Sequence, residues 1–199
     1  MQGIFDNPRA SLGFGAAIAA VLILGWLAAG GVDGVVFFSF LMRLLHVLAA
    51  MVWVGLIVFV NFVQLIALQG ADEQGRGFLG RHIIPSVAWW FRHASTVTVA
   101  TGVVLLVPTG YMLPTLVYGS EVHVPTGRAT LLWLGVAGGL AMWMFVHMYI
   151  WPSLQVVLGM RPGDDAAKAS ARSRVLLFAR ANLLLVVPVV VAMIAAAHL

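Results

Sequence analysis

Two apolar stretches of this sequence each carry a histidine at about the same distance from one end. His93 lies 10 residues after Ile83, and His147 lies 11 residues before Leu158. In a helix both distances correspond to roughly 15 Å, so the two imidazoles are expected at matched depth. Two neutral imidazoles on facing helices can fill the two axial positions of a b-type haem. We therefore predict a haem b whose iron is bound by His93 and His147.

Arginine and tryptophan residues accompany the two histidines. Arg92 adjoins one of them and Arg180 lies near the same end of the last apolar stretch, so both guanidinium groups can pair with haem propionates. Trp89, Trp143 and Trp151 each lie one helical turn from a histidine and can pack against the flat porphyrin ring of the haem. The alternative is that these histidines form hydrogen bonds between helices, a common role of polar residues in membranes.

A second polar layer is predicted near the opposite end of the apolar stretches. It contains Arg43, His46 and Trp53 from one stretch and His198 from the end of the last one, and His123 in a loop can join it. These residues can bind a second haem, or they can line a pocket for a quinone or another substrate. Arg43, His46, Trp53 and His198 are therefore also the candidate catalytic residues.

Charged residues are rare in this chain of 199 residues, of which 62% are hydrophobic and 9% are Asp, Glu, Lys or Arg. An ordinary globular domain is about 25% charged. The acidic residues all fall between apolar stretches, at Asp6, Asp33, Asp72, Glu73, Glu121, Asp164 and Asp165. This composition excludes an ordinary soluble domain and predicts an integral membrane protein in contact with the lipid bilayer.

Five apolar stretches are each long enough, at about 20 residues or more, to cross a membrane as a helix. They cover residues 14–32, 36–68, 83–106, 129–158 and 175–199. We predict an all-α integral membrane protein with five transmembrane helices in a single membrane domain, 1–199. Residues 36–199 are expected to form a functional four-helix bundle, with the first helix as an additional N-terminal helix.

The cations predict an orientation for this bundle. One side would carry seven of them, namely Arg9, Arg76, Arg81, Arg161, Lys168, Arg172 and Arg174, whereas the other side would carry Arg128. By the positive-inside rule the N-terminus is cytoplasmic and the C-terminus is periplasmic, in the inner membrane of a bacterium. The net charge of +4 is explained by this orientation, so we expect no nucleic-acid partner.

Polar residues within three of the stretches recur at helical spacing. The second stretch carries Arg43, His46, Trp53, Asn61 and Gln64, the third carries His82, Trp89, His93 and Thr96, and the fourth carries Gly135, Gly139, Trp143, His147 and Trp151. Because lipid does not solvate polar side chains, we expect all three stripes to face the interior of the bundle.

Four blocks of the sequence, taken in order, also resemble a known family. They are LLHVLAAMVWVGLIVFVNFVQ (44–64), RHIIPSVAWWFR (81–92), MWMFVHMYIWPSLQVVLG (142–159) and ARSRVLLFARANLLLVVPVVVAMIAAAH (171–198). They resemble the membrane module of the bacterial membrane-bound urate hydroxylase family. This module is also described as the urate oxidase N-terminal domain-like module. The resemblance implies a helical membrane bundle with oxidoreductase chemistry.

The same resemblance implies that a periplasmic cytochrome c domain commonly follows the membrane module. This sequence ends at Leu199 and has no Cys, so it lacks that domain, and an external cytochrome c would have to accept electrons. Urate is planar and anionic, and Arg43 and Trp53 are chemically suitable partners for it.

Three functions therefore compete. The first is a membrane-embedded b-type haem protein that transfers electrons, with one haem or two. The second is a membrane enzyme that oxidises urate or a related heterocycle and passes electrons to an external cytochrome c. The third is a non-redox accessory subunit of a larger respiratory or photosynthetic membrane complex, in which the histidines serve only packing.

Overall fold

The computed structural model of the chain describes residues 5–30, 33–112 and 126–198. Within these ranges the secondary structure is helical and no strand occurs. The all-α fold class predicted from the sequence is therefore confirmed for the described part of the chain. The prediction that His123 joins a polar layer concerns a residue outside these ranges.

The first three long helices of the described residues are named α1 to α3. α1 is Pro8–Ala28, and α2 is Gly34–Gly70, within which Val60–Gln64 is a π-helical segment. α3 is Ile84–Leu105. It continues directly from a π-helical segment, Leu79–Ile83, and from the short helix Glu73–Phe78 before it.

The last two long helices are α4 and α5. α4 begins with Thr126–Met144, continues through the π-helical segment Phe145–Ile150 and ends with Trp151–Val157. α5 is Asp165–His198, and it starts ten residues earlier than the predicted stretch 175–199 because its first turns are polar. Hydropathy marks the apolar part of a helix, whereas the helix itself extends into the polar loop.

Four helices in the described residues are long and apolar enough to cross a membrane, namely α1, α2, α4 and α5. α3 differs because it carries Arg92, His93 and several hydroxyl side chains, which lower its hydropathy. Its 22 residues extend over roughly 33 Å, against a hydrocarbon layer of about 30 Å. A fifth span over residues 83–106 therefore stays a prediction.

Several acidic residues between the apolar stretches start helices. The Asp33 carboxylate accepts a hydrogen bond from the backbone N–H of Val35 at 2.8 Å. Asp72 accepts one from Gly75 at 2.8 Å, and Asp164 accepts one from the N–H of residue 167 at 2.7 Å. Such bonds satisfy N–H groups that have no partner in the first helical turn. Acidic residues are thus kept at helix starts, where backbone donors stabilise their charge.

The chain divides into two compact units, residues Met1–Phe38 and Ser39–Leu199. In the first unit no residue of α1 is buried, and the Trp26 and Phe37 rings lie 6.3 Å apart between centroids. In the second unit α3, α4, α5 and the larger part of α2 pack around a common core. The cavities and polar clusters described below lie in this second unit, which is named the bundle.

The core of the bundle is built from large apolar side chains of all four helices. Its buried members include Ile57 from α2, Phe91 from α3, Val146 from α4 and Val186 from α5. Because lipid is as apolar as these side chains, helices in a membrane associate through close packing and hydrogen bonds rather than through burial from water. Cavities and unpaired polar groups in this core do not help the helices to associate, so they are candidates for binding sites.

Close packing of α4 against α5 depends on one glycine. A Cβ atom at Gly138 would lie 2.5 Å from Cγ2 of Val189, whereas a Cβ at the neighbouring Gly139 would meet no atom within 4 Å. We expect Gly138→Ala to destabilise the bundle by about 1–3 kcal/mol, because the stiff Val189 side chain or the helix must move.

The matched control is Gly139→Ala, which adds the same methyl group one residue away. We expect it to leave the stability unchanged or slightly raised, since alanine favours helix over glycine by about 0.5–1 kcal/mol. Thermal unfolding of the two variants in the same detergent measures the difference. Equal unfolding temperatures for both variants would contradict the packing described here.

Candidate functional site

A cavity of ≈ 420 Å³ lies between the helices of the bundle, toward the beginning of α2 and the end of α5, and it is open on the side of Met51, which is 66% exposed. All four helices of the bundle line it, mostly with aliphatic side chains. The polar side chains in its wall are His46, Trp53 and Thr98, and three methionines also border it, Met51, Met142 and Met193. Its volume lies within the range of about 300–1,000 Å³ that is usual for small-molecule and cofactor sites. It is named the large cavity.

His46 is held in a defined orientation on the wall of the large cavity. Its Nδ1 lies 2.8 Å from the carbonyl oxygen of Thr98 and 3.3 Å from the hydroxyl of Thr101. Because a carbonyl oxygen only accepts, we assign the ring proton to Nδ1, which donates to Thr98. Nε2 then carries a lone pair, and it has no hydrogen-bond partner among the described residues. A backbone carbonyl that orients the ring through Nδ1 is the usual support of a metal-binding histidine.

The His46 ring fits against α3 because residue 102 is a glycine. A Cβ atom at Gly102 would lie 2.8 Å from Cε1 of the ring and 3.1 Å from Nδ1. Any larger residue at this position would push the imidazole away from the Thr98 carbonyl. His46 is predicted from the sequence, whereas its neighbours Thr98, Thr101 and Gly102 are not. The spacing of small residues along α3 was the available signal, since such stripes are typical of close helix contacts.

Trp53 adds an unpartnered donor to the same wall. Its side chain is only 4% exposed, and its indole Nε1 has no hydrogen-bond partner in the described part of the chain. Buried N–H groups are nearly always paired in native proteins. The large cavity is therefore bordered by one free acceptor, His46 Nε2, and by one free donor, Trp53 Nε1.

His93 and His147 lie together, but not inside the bundle. They belong to an outer groove between α3 and α4, defined by Trp89, His93, Thr96, Trp143 and His147. Trp89 is 50% exposed, and His93 and Thr96 are also exposed. The prediction that the α3 stripe faces the interior is therefore wrong.

The physical reason is that α3 buries a different face. That face carries Phe91, Ala94, Ser95, Thr98 and Thr101. The Thr98 hydroxyl donates to the carbonyl of Ala94 at 2.8 Å, and Thr101 donates to that of residue 97 at 2.6 Å. Short hydroxyl side chains satisfied by their own helix can be buried at little cost. The larger rings of the stripe are left on the outside.

The two histidines of the outer groove have matching geometry. Nδ1 of His93 bonds to the carbonyl of Trp89 at 2.7 Å, and Nδ1 of His147 bonds to that of Trp143 at 3.1 Å. The His93 ring stacks on Trp89 with ring centroids 4.1 Å apart, and the His147 ring stacks on Trp143 with centroids 4.6 Å apart. Thr96 lies between the helices, with its hydroxyl 3.1 Å from Nε2 of His147 and 3.3 Å from the indole nitrogen of Trp143. Thr96 thus joins the Trp143 and His147 side chains of α4 to α3, one helical turn from His93.

The remaining residues predicted to bind a cofactor are dispersed. Arg43, Arg180 and His198 are exposed, and Nδ1 of His198 bonds to the carbonyl of Ile194 at 2.9 Å. No hydrogen bond or ring contact joins His46 to Arg43 or His198 within the described residues. The guanidinium carbon of Arg92 lies 4.2 Å from the ring centroid of Trp151, which is not part of the outer groove.

Arg92 instead borders a second, smaller cavity of ≈ 70 Å³ at the other end of the bundle. Asn61 and Gln64 from α2 line it, together with Arg92 from α3 and Trp151 from α4. It is named the small cavity. The α2 stripe does face the interior here, as predicted, since both amide side chains are buried.

Two π-helical segments lie next to the small cavity. Val60–Gln64 carries Asn61 and Gln64, and Phe145–Ile150 precedes Trp151. A π-helical turn contains an extra residue, so it rotates the following residues around the helix. This explains why His147 faces the outer groove while Trp151, four residues later, faces the small cavity.

In the described ranges no three His, Asp or Glu side chains come together in a way that could hold a metal ion by themselves. The nitrogen donors available for iron in a porphyrin are single imidazoles, at His46 in the large cavity and at His93 and His147 in the outer groove. No protein-family model, no curated protein and no solved structure matches the chain.

Proposed function

We propose that the chain is a membrane-embedded b-type haem protein that transfers electrons, and that the large cavity holds the haem with His46 as an iron ligand. The orientation of His46 carries this proposal. Its Nδ1–H is bonded to the Thr98 carbonyl at 2.8 Å, and Nε2 is left as a free lone pair on the wall of a ≈ 420 Å³ apolar cavity. A bound haem supplies one-electron chemistry, and the protein supplies the ligand, the orientation and the low dielectric.

The donor set around the cavity fits this cofactor. The thioethers of Met51, Met142 and Met193 border the same space as His46, so one of them would be available as a second protein ligand of the haem iron. Arg43 precedes His46 by three residues and is exposed, so its guanidinium is a suitable partner for a propionate. The aliphatic walls exclude water, which strengthens these interactions.

We place the haem at His46 rather than between His93 and His147 because, of these three histidines, only His46 borders the large cavity. In the outer groove, Nε2 of His147 is already 3.1 Å from the Thr96 hydroxyl. The test of the function is the reduced-minus-oxidised absorption spectrum of the purified full chain, produced with ample haem supply. We expect the bands of a b-type haem at one equivalent per chain, and their absence would refute the proposal.

A membrane quinone is the second candidate ligand for the large cavity. Trp53 Nε1 favours it, because this buried N–H has no partner and can donate to a quinone carbonyl, while His46 Nε2 can accept from a quinol hydroxyl. We expect Trp53→Phe to weaken binding of a short-chain quinol about tenfold, as for the loss of one buried hydrogen bond. Fluorescence titration of the two proteins measures this: equal affinities would exclude the hydrogen bond from Trp53, and absence of binding by the unchanged chain would exclude the quinone.

The resemblance of residues 44–198 to the urate hydroxylase membrane module suggests the same class of chemistry. Urate oxidation itself would need an external acceptor. Urate-dependent reduction of an added cytochrome c by the purified chain is the direct measurement. If a preparation that shows haem bands does not reduce cytochrome c in the presence of urate, this chain lacks the activity of the family that it resembles.

The proposed topology has five spans, with a cytoplasmic N-terminus and a periplasmic C-terminus in a bacterial inner membrane. The distribution of cations supports it, because seven of eleven lie on the predicted cytoplasmic side. The natural chain has no Cys, so single cysteines report position directly. We expect a membrane-impermeant maleimide to label His198→Cys in intact spheroplasts and Lys168→Cys only after lysis. The reverse labelling pattern would show that the chain has the opposite orientation in the membrane.

A further inference from the structure

The large cavity reaches the surface of the bundle between α2 and α5. Four residues there both line the cavity and are exposed, Val47 and Met51 from α2 and Val190 and Ile194 from α5. All four side chains are apolar, and both helices are apolar enough to cross a membrane. This gap in the wall is named the lateral opening.

The depth of the lateral opening places it beside hydrocarbon rather than beside water. On α2 the nearest charged residue is Arg43, eight residues before Met51, which corresponds to roughly 12 Å along the helix. On α5 it is Arg180, ten residues before Val190, or roughly 15 Å. Water is scarce at such a depth, so the acyl chains of lipids surround the opening.

The helices on the two sides of the lateral opening are held by different partners. α2 is joined to α3 at this level by the hydrogen bond of His46 to the Thr98 carbonyl, and α5 packs on α4 through the glycine contact described above. The hydrogen bond between α2 and α5, from Asn61 to the Ala179 carbonyl at 3.3 Å, lies at the other end of the bundle. Within the described residues no hydrogen bond joins residues 46–54 of α2 to α5. The two helix pairs therefore stay apart at the opening without breaking a polar contact.

From the apolar rim, its depth and the absence of a bond across it, we infer that the large cavity receives its ligand from the bilayer through the lateral opening. Met51, the most exposed of the four rim residues, sets the width of the passage. The inference rests on the proposed function, because it takes the large cavity as the ligand site.

This route restricts the class of ligand to largely apolar molecules that dissolve in the membrane. A quinone belongs to this class. Haem also does, because its two carboxylates lie at one edge and can stay near the membrane surface while the porphyrin enters. Urate carries its charge on a compact ring, and an unpaired charge in hydrocarbon is strongly unfavourable, so urate is excluded from this route.

A phospholipid with a photoreactive diazirine at the end of one acyl chain tests the lateral opening. Its headgroup stays at the membrane surface, so the diazirine reaches the cavity wall only when the chain lies through the opening. The full chain, produced without added haem, is reconstituted in liposomes that contain this lipid and is illuminated. Mass spectrometry of peptides then locates the labelled residues.

Met142 and Met144 of α4 are a matched pair for this measurement. Met142 lines the large cavity and is 2% exposed, whereas Met144 is 40% exposed and does not line it. We expect both methionines to be labelled, Met144 from the surrounding lipid and Met142 through the opening. Absence of label at Met142 would overturn the inference.

Two tryptophan variants locate the entrance. Met51→Trp is expected to fill the lateral opening, so Met142 loses its label and Met144 keeps it. Val103→Trp places the same ring on α3, at another exposed residue of the cavity wall, and is expected to leave both labels unchanged. Unchanged labelling of Met142 in Met51→Trp would overturn the inference, and so would a loss confined to Val103→Trp. If Met51→Trp does not fold, Met51→Ala widens the opening and is expected to raise the label at Met142, and an unchanged label would contradict the passage.

The haem proposal and this inference fail separately. Labelling is measured without haem, so missing haem bands would leave the lateral opening intact, and missing label at Met142 would leave haem binding intact. In haem-loaded liposomes, we expect Met51→Trp to slow the removal of haem by a scavenging protein, since the ring obstructs the exit. Equal rates for this variant and the unchanged chain would show that haem uses another route, which would overturn the inference.

Discussion

The His46→Ala variant is expected to lose the haem absorption bands while remaining folded. Among the described residues His46 alone brings an imidazole to the wall of the large cavity, and its Nε2 is the proposed iron ligand. The change leaves the Thr98 carbonyl near an empty space, but that carbonyl belongs to a continuous helix and is not left bare. The haem-to-protein ratio of the purified variant, from absorbance and protein assay, measures the loss.

Two further histidine variants make this result specific. His198→Ala removes an exposed imidazole at the end of α5 and is expected to retain the full haem content. The double variant His93→Ala/His147→Ala removes both rings of the outer groove, and we expect it to retain the haem as well. If the double variant loses the bands and His46→Ala keeps them, the haem lies in the outer groove, as the sequence alone first indicated.

The second large effect is expected from Gly102→Ala, which changes no polar group. The added Cβ would lie 2.8 Å from Cε1 of His46, so the ring must leave its hydrogen bond to Thr98 or α3 must move. Overpacking of this kind costs about 1–3 kcal/mol, which corresponds to haem binding weaker by about fivefold to 150-fold. The rate at which an excess of a haem-scavenging protein removes the haem reports this change.

Gly139→Ala is the control for this experiment, because Gly139 borders the same cavity and a Cβ there meets no atom within 4 Å. It adds a methyl group to the cavity wall without touching His46. We expect its haem loss to match that of the unchanged protein. Equal acceleration in both variants would indicate a general effect of cavity volume, and it would remove the specific role given to His46.

Much of the fold follows from simple properties of the sequence. Long apolar stretches can satisfy their backbone in a membrane only as helices, so the positions of α1, α2, α4 and α5 were predictable. The start of α5 at Asp165 was not, because its first turns are polar and hydropathy ignores them. α3 was predicted by its length and its apolar residues together, although its own hydropathy is lowered by polar groups on two faces.

The candidate site was predictable only in part. His46 and Trp53 stood out because polar rings in apolar stretches are costly. The groups that surround them did not stand out. The Thr98 carbonyl and the space at Gly102 leave no pattern in the sequence beyond a stripe of small residues. The pair His93 and His147 was expected at one depth, which stays a prediction, and the face of α3 that carries His93 was not predictable. Helical periodicity cannot choose between two polar faces, and on α3 the hydroxyl face is the one that packs.

The π-helical segments have a consequence for how this chain tolerates change in length. Each holds one residue more than a regular α-helix would, at Val60–Gln64 and at Phe145–Ile150. Deleting one residue there would restore the regular helix and leave the residues beyond it on the faces that they occupy now. Deleting one residue from a regular turn of the same helix would instead turn everything beyond it by about 100°. The bundle is therefore expected to tolerate the loss of one residue better within Val60–Gln64 or Phe145–Ile150 than in the helical turns on either side.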